Sequence, residues 1–116
     1  MNVVDTTVQG HVLVVDDEER NRELLREVLQ ADGHRVFEAG GGPEALVLLV
    51  QERVDTVLLD VMMPGMTGLQ VLEQIRKDTR LGTTPVIMVT ALTDRADRIA
   101  AIRMGANDFL TKPIDT

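Results

Sequence analysis

The sequence contains no cysteine, no tryptophan and no tyrosine, and only two phenylalanines, Phe37 and Phe109. The lack of cysteine excludes disulfide bonds and thiolate metal sites. Because aromatic residues are nearly absent, a folded core must be built from Val, Leu, Ile and Met, and 44% of the 116 residues are hydrophobic. A chain of this length and composition fits one globular domain with one core.

Basic residues are outnumbered, with 12 Lys and Arg against 19 Asp and Glu and a formal net charge of -7. This balance argues against direct binding of nucleic acid or an anionic membrane. No apolar run is long enough to span a bilayer, and the polar N-terminus lacks the apolar centre of a signal peptide. We therefore expect a cytoplasmic protein in which residues 1–10 form a flexible leader.

From residue 11 onward, short apolar runs alternate with longer segments of helical periodicity. The runs predict five strands, at 11–15, 35–39, 55–60, 84–90 and 107–113. The segments between them predict four helices, and strand–helix alternation favours a parallel sheet covered by helices.

Local signals mark where these helices begin and end. Pro43 is expected at the first position of the second helix, and Thr67 with Gln70 forms a capping box for the third. Gly33 and Gly105 are expected to end the first and fourth helices. In the fourth helix, the apolar side chains predicted to face inward are Ile99 and Ile102.

Chemically active side chains stand where four of the predicted strands end. They are Asp16 and Asp17 after the first strand, Asp60 on the third, Thr90 on the fourth and Lys112 on the fifth. Ligands of open parallel sheets bind outside these carboxyl ends, so the five side chains are expected to converge on one crevice. Each residue alone could have an ordinary structural role, such as Asp17 capping the first helix. The placement of all five at the carboxyl ends of four strands favours a functional site.

Four stretches, VVDDE, LLDVMMPGMTG, VTAL and DFLTKP, resemble in order the signature sequences of bacterial response regulator receiver domains. The resemblance runs from about residue 11 to the end. It implies a doubly wound α/β fold with a five-stranded parallel sheet in the order 2-1-3-4-5. It also exposes a departure, because receivers have a fifth helix after the last strand. Residues 11–116 are therefore predicted to be a receiver domain truncated before its last helix.

The resemblance also implies the chemistry. Asp60 would be the phosphoacceptor, taking a phosphoryl group from a sensor histidine kinase or phosphotransfer protein. Asp16, Asp17, Asp60 and the backbone carbonyl of Met62 would hold Mg²⁺, which would relieve the repulsion between the carboxylates. Lys112 and Thr90 would contact phosphoryl oxygens, and the bond before Pro113 would be cis. The domain would be a signalling switch rather than an enzyme that turns over an external substrate.

By the same resemblance, Thr90 would couple phosphorylation to the position of Phe109. This change would alter the surface of the fourth helix and fifth strand, where an output domain, a downstream protein or a second copy of the chain would bind. Met62 and Leu92 would tune the lifetime of the phosphoryl group. Neither side chain can orient an attacking water, so slow loss of the phosphoryl group is expected.

Parts of the sequence also resemble the motifs of two other functions. Gly40, Gly42 and Ala45 imitate a dinucleotide-binding fingerprint, with Asp60 placed 20 residues after Gly40. That reading gives no role to the residues at the other strand ends, and a nucleotide titration would test it. A phosphatase of the haloacid dehalogenase type would need a second Asp two residues after the nucleophile, where this sequence has Met62.

Overall fold

The computed structural model describes residues 10–91 and 95–112, in which five strands alternate with four helices. The strands β1 to β5 are His11–Val15, Arg35–Ala39, Thr56–Asp60, Val86–Thr90 and Asp108–Thr111. The helices α1 to α4 are Glu19–Ala31, Gly42–Gln51, Gly68–Lys77 and Arg95–Met104. All strand pairings are parallel and the order is β2-β1-β3-β4-β5, which confirms the predicted sheet.

The ends of the chain bear on two predictions. Gly10, the last residue of the predicted leader, belongs to the fold, because its carbonyl accepts a hydrogen bond of 2.9 Å from the Arg35 N–H. Residues 1–9 and 113–116 lie outside the described residues. The truncation before a fifth helix and the cis bond before Pro113 therefore stay predictions.

β3, β4 and β5 are shorter than predicted, whereas β1 and β2 have the predicted bounds. β4 begins at Val86 because the preceding Pro85 has no N–H for the strand ladder. β3 begins at Thr56, and the carboxylate of Asp55 instead accepts a 2.8 Å hydrogen bond from the His11 N–H. β5 begins at Asp108, because the side chain of Asn107 accepts a 2.8 Å hydrogen bond from the Val86 N–H. A proline and two polar side chains thus mark where these three strands begin.

Side chains of the strands alternate between two apolar layers, as an internal parallel sheet requires. One layer lies on the side of α1 and contains Val12, Val14, Leu25, Leu58 and Val89. The other layer is larger and packs against α2, α3 and α4. Its fully buried members include Leu13, Val15, Leu59, Leu72, Ile75 and Met88. The core is aliphatic as predicted, and Phe37 and Phe109 only border it.

The prediction for α4 was wrong in its orientation. Ile99 and Ile102 are 39% and 58% exposed, whereas Ala101 is 2% exposed and belongs to the core. The helix carries alanines at 96, 100 and 101, so its apolar periodicity does not define a single face. The small side chain of Ala101 faces the core, and the isoleucines are left on the surface.

The helix-end signals are largely confirmed. Gly33 and Gly105 follow α1 and α4 with φ angles of +87° and +105°, and Thr67 and Gln70 form the capping box of α3. Pro43, predicted at the first position of α2, is its second residue, because the helix begins at Gly42. Within the described residues, no helix is long and apolar enough to cross a membrane.

Arg76 fixes the loops that precede β4 and β5. Its guanidinium donates hydrogen bonds to the carbonyl oxygens of Gly105 at 2.7 Å and Thr84 at 2.7 Å, and to the Asn107 side chain at 2.8 Å. A guanidinium carries five donors in a rigid fork, so one residue can join several chain segments. The loops are thereby held together at the end of the sheet opposite to the carboxyl ends of its strands.

Candidate functional site

Three carboxylates meet at the carboxyl ends of β1 and β3. Asp16 directly follows β1 and Asp60 is the last residue of β3, and they are only 1% and 2% exposed. Asp17 is exposed beside them. One carboxylate oxygen from each of the three residues lies within 4.8 Å of the others. The structure therefore brings together the three acidic residues that the sequence singled out.

Lys112 places its amine against the two buried carboxylates. Its Nζ lies 3.0 Å from Asp60 Oδ1, in a hydrogen bond, and forms an ion pair of 3.3 Å with Asp16 Oδ2. The main-chain N–H of Lys112 donates to the carbonyl oxygen of Thr90 at 2.9 Å, so the lysine is tied to the end of β4. Four strand ends thus contribute to one site.

The site carries more negative than positive charge. Burial raises the pKa of Asp60 to about 6, and the charge of Asp16 adds to this, although hydrogen bonds from Lys112 and Met62 oppose it. Burial by itself would lower the pKa of Lys112, but the hydrogen bond and charge of Asp60, followed by those of Asp16, raise it. Three carboxylates face one ammonium, so a further cation would be stabilised here.

The donor set fits a small divalent cation. Asp60 Oδ2 is buried and has no hydrogen-bond partner among the described residues. A buried carboxylate oxygen without a partner is costly, and a metal ion is one way to satisfy it. The available ligands are carboxylate oxygens, which suit Mg²⁺ and leave room for its waters.

The main chain around Asp16 is held by groups that the sequence did not reveal. Asp16 Oδ1 accepts a 2.9 Å hydrogen bond from the Glu18 N–H in the turn that precedes α1. The N-cap position of α1 is Glu18 rather than Asp17, and Glu18 makes no side-chain cap hydrogen bond. The guanidinium of Arg22 donates to the Asp16 carbonyl oxygen at 2.7 Å. Arg22 is one of ten arginines, and nothing in the sequence distinguishes it from the other nine.

Gly68 brings α3 directly against the backbone of Asp60. Its N–H donates to the Val61 carbonyl oxygen at 2.9 Å. A Cβ at this position would lie 2.1 Å from the Asp60 carbonyl oxygen and 2.8 Å from Val61 Cα. The available signal was a glycine at the end of the loop MPGMTG, next to a capping threonine. The threonine indicates a helix cap, but the close approach of the glycine to Asp60 depends on how α3 packs.

The two predicted switch residues, Thr90 and Phe109, border a common cavity. Thr90 is buried at the end of β4, and Phe109 is half-buried on β5. The cavity has a volume of about 330 Å³, and its walls are formed by Val61, Met62, Thr67, Leu69, Thr90, Arg98, Ala101 and Phe109. Met62 is 64% exposed and its N–H donates to Asp60 Oδ1 at 3.3 Å. Leu92 lies outside the described residues.

The glycines of the dinucleotide-like pattern have other surroundings. A Cβ at Gly42 would lie 2.5 Å from Met66 Sδ and 2.8 Å from Val71 Cγ2, so this glycine allows α2 to pack closely on α3. The N–H of Gly40 donates to the Glu44 side chain at 3.1 Å. These contacts give the pattern a packing role at the start of α2.

Comparison with known proteins assigns the sequence to one family. The family model described as "Response regulator receiver domain" matches residues 12–116. The response regulator PleD of Caulobacter vibrioides is 45% identical over 108 residues, which are 93% of this chain and 24% of PleD.

Two solved structures have the same fold. The chemotaxis protein CheY4 of Vibrio cholerae superposes with a TM-score of 0.89 at 32% identity, covering 93% of this chain and 90% of that one. The response regulator TrrA of Thermotoga maritima, in complex with Mg²⁺–BeF, gives a TM-score of 0.80 at 36% identity, covering 91% and 89%.

The chain belongs to the family of response regulator receiver domains, the phosphoacceptor signalling domains of two-component systems. It spans about a quarter of the length of PleD, whereas CheY4 is nearly matched from end to end. Chains similar to this one therefore occur both as a part of a longer protein and over nearly the whole length of a shorter chain.

Proposed function

We propose that this domain accepts a phosphoryl group on Asp60 from a phosphohistidine of a sensor histidine kinase or phosphotransfer protein. The observation that carries the proposal is the buried Asp60 carboxylate at the end of β3, beside Asp16 and joined to it through the amine of Lys112. In the transfer, an Asp60 carboxylate oxygen forms the new O–P bond. The P–N bond to the donor imidazole breaks, and the imidazole leaves with the electron pair.

The two Asp60 oxygens differ, because Oδ1 accepts hydrogen bonds from Lys112 and Met62 whereas Oδ2 has no hydrogen-bond partner among the described residues. One oxygen would form the O–P bond while the other stays available to the cation. Lys112 would neutralise charge on the phosphoryl group, and the hydroxyl of Thr90, at the end of the adjoining strand, would bind another phosphoryl oxygen. Phosphoryl transfer depends mainly on such positioning and charge stabilisation.

Asp16, Asp17 and Asp60 would hold Mg²⁺ together with the backbone carbonyl of Met62. When bound, the ion would shield the carboxylates from one another and neutralise phosphoryl oxygens as the donor approaches. Support comes from the spacing of the carboxylates and from the raised pKa of Asp60, which burial and the neighbouring Asp16 produce. The TrrA structure, which is in complex with Mg²⁺–BeF, is consistent with this assignment.

The output would be a change of the surface formed by α4 and β5. Thr90 would draw toward the phosphoryl group, and Phe109 would move into the cavity that both residues border. Ile99, Ile102 and Leu110 are exposed apolar residues on these two elements. We propose this surface as the binding site of an output domain, a downstream protein or a second copy of the chain, in the cytoplasm.

A side chain that can orient water should shorten the lifetime of the phosphoryl group. The thioether of Met62 is exposed at the edge of the site and does not position a water for in-line attack. We expect Met62→Asn to speed loss of the phosphoryl group about tenfold, with Met62→Leu unchanged as the matched control. The measurement is the decay of phosphoprotein after removal of the donor. A parent half-life of seconds with Mg²⁺ and no phosphatase would contradict the slow loss expected here.

Intact mass spectrometry after incubation with acetyl phosphate tests the proposed function. We expect one phosphoryl adduct on the parent with Mg²⁺, and none without Mg²⁺ or on the Asp60→Asn variant. Circular dichroism would establish that each sample is folded. A folded parent that acquires no adduct from acetyl phosphate or from a phosphorylated kinase domain would overturn the proposal.

A further inference from the structure

Arg98, a residue outside the acidic site, contacts the predicted switch residue Phe109. Arg98 lies on α4, and its guanidinium carbon is 5.9 Å from the centroid of the Phe109 ring. A terminal nitrogen of the same guanidinium donates to Thr111 Oγ1 at 3.3 Å. One side chain of α4 thus contacts two residues of β5, on the element that leads to Lys112.

The position of Arg98 is held by these contacts at an energetic cost. Its Nε is buried and has no hydrogen-bond partner within residues 10–91 and 95–112. A buried donor without a partner is unfavourable, so the observed position depends on what the rest of the guanidinium gains. That gain comes from the face of Phe109 and the hydroxyl of Thr111.

The cavity beside Phe109 is large enough for the ring to move. Its volume is about 330 Å³, and an apolar cavity of about 150 Å³ already takes up benzene. The side chains of Val61, Leu69 and Ala101 form apolar walls, with Thr90 on the same cavity. Two ring positions are therefore sterically possible, and contacts at the edge of the cavity decide between them.

We infer that Arg98 is a positioning residue for Phe109, which holds the ring at the edge of the cavity and sets how readily it moves inward. The inference deepens the proposed function and depends on it for the signalling meaning of this movement. A cation–π contact at a partly exposed position changes an equilibrium about two- to fivefold. Loss of Arg98 should therefore raise the population of the displaced ring by a factor of this size.

The sequence offers an unusually clean spectroscopic test, because it contains only two phenylalanines. In an NMR spectrum, phenylalanine labelled with ¹³C in the ring gives separate signals for Phe37 and Phe109. The label does not alter the electron density of the ring, so it leaves the cation–π contact unchanged. Arg35 lies over Phe37, with its guanidinium carbon 5.4 Å from the ring centroid. Replacing arginine by methionine keeps an apolar stem and removes the charge. Arg35→Met is therefore the matched control for Arg98→Met.

We expect Arg98→Met to shift the Phe109 signal in the direction that acetyl phosphate and Mg²⁺ shift it in the parent, with Phe37 unchanged. Arg98→Lys should restore much of the parent spectrum, because it keeps the cation over the ring. Thr111→Val, which removes only the hydrogen bond, should give a smaller shift of the same sign. Arg35→Met should move the Phe37 signal alone.

An unchanged Phe109 signal in folded Arg98→Met would overturn the inference, as would equal shifts of both phenylalanines in both methionine variants. If Arg98→Met prevents folding, the other two variants decide. The inference is then overturned if Thr111→Val leaves the Phe109 signal unchanged and the spectrum of Arg98→Lys does not resemble that of the parent. The proposed function fails separately. A parent that takes up no phosphoryl group, while Arg98→Met still shifts Phe109 and Arg98→Lys reverses the shift, would preserve the positioning role and reject the phosphoacceptor role.

Discussion

Gly68→Ala should destabilise the domain by about 3 kcal/mol, although alanine is the better helix former and Gly68 is the first residue of α3. The gain in helix propensity is at most about 1 kcal/mol. Against it, the new Cβ would lie 2.1 Å from the Asp60 carbonyl oxygen and 2.8 Å from Val61 Cα. These are backbone atoms at the end of a central strand, so the clash is relieved only by moving α3 away from β3.

Urea unfolding followed by circular dichroism measures this effect, since the chain has no tryptophan or tyrosine to report it. For a domain of this size the loss corresponds to a fall of roughly 10–15 °C in melting temperature. Gly40→Ala is the control, because a Cβ there meets only side-chain atoms at 3.4 Å or more. Equal stability of the two alanine variants would show that the approach of α3 to Asp60 is looser than the structure indicates.

Asp60→Asn should stabilise the Mg²⁺-free domain at neutral pH by about 1–2 kcal/mol, although it removes the proposed phosphoacceptor. Burial and the charge of Asp16 raise the pKa of Asp60 from 3.8 to about 6, despite the hydrogen bond from Lys112. At a pH between these two pKa values, Asp60 keeps its proton in the folded state but has largely lost it in the unfolded state. The contribution of Asp60 to stability is therefore lost as pH rises from about 4 through about 6, and it stays lost above that range.

The free energy of unfolding of parent and variant, measured from pH 4 to pH 8 in EDTA, tests this prediction. The difference between them should grow through pH 6 and then level off, and Mg²⁺ should raise the stability of the parent more than that of the variant. Asp55→Asn is a control of opposite sign. A hydrogen bond from the His11 N–H lowers the pKa of Asp55, so its loss should destabilise the domain at neutral pH. A destabilising Asp60→Asn would contradict the charge imbalance described for the site.

The sheet and the acidic site were predictable from the sequence, because apolar runs mark the buried strands and the acidic residues stand where those strands end. A continuous apolar run such as His11–Val15 indicates a strand buried on both faces, and Asp16 and Asp60 follow from where two such strands end. The orientation of α4 was not predictable, because its alanines leave the apolar face undefined and Ala101, not Ile99 or Ile102, enters the core. Periodicity identifies a helix, but packing selects its face.

Contacts that cross between elements were also beyond the sequence. Arg22 reaches the Asp16 carbonyl oxygen, and Arg98 reaches Phe109, yet neither arginine differs in its local sequence from the others. Gly68 was visible as a glycine beside a helix cap, but its distance of closest approach to Asp60 depends on how α3 meets β3. Arg22 and Gly68 contact the backbone of the acidic site and Arg98 contacts Phe109, and all three contacts follow from the fold rather than from a motif.

The central claim is that Asp60 is the phosphoacceptor, and reductive trapping tests it at the level of the residue. The parent would be treated with acetyl phosphate and Mg²⁺, reduced with borohydride and digested, because borohydride converts an aspartyl phosphate to homoserine. We predict homoserine at position 60, with Asp16 and Asp17 recovered unchanged. Homoserine at another aspartate, with position 60 unmodified in a protein that carries the adduct, would contradict the account.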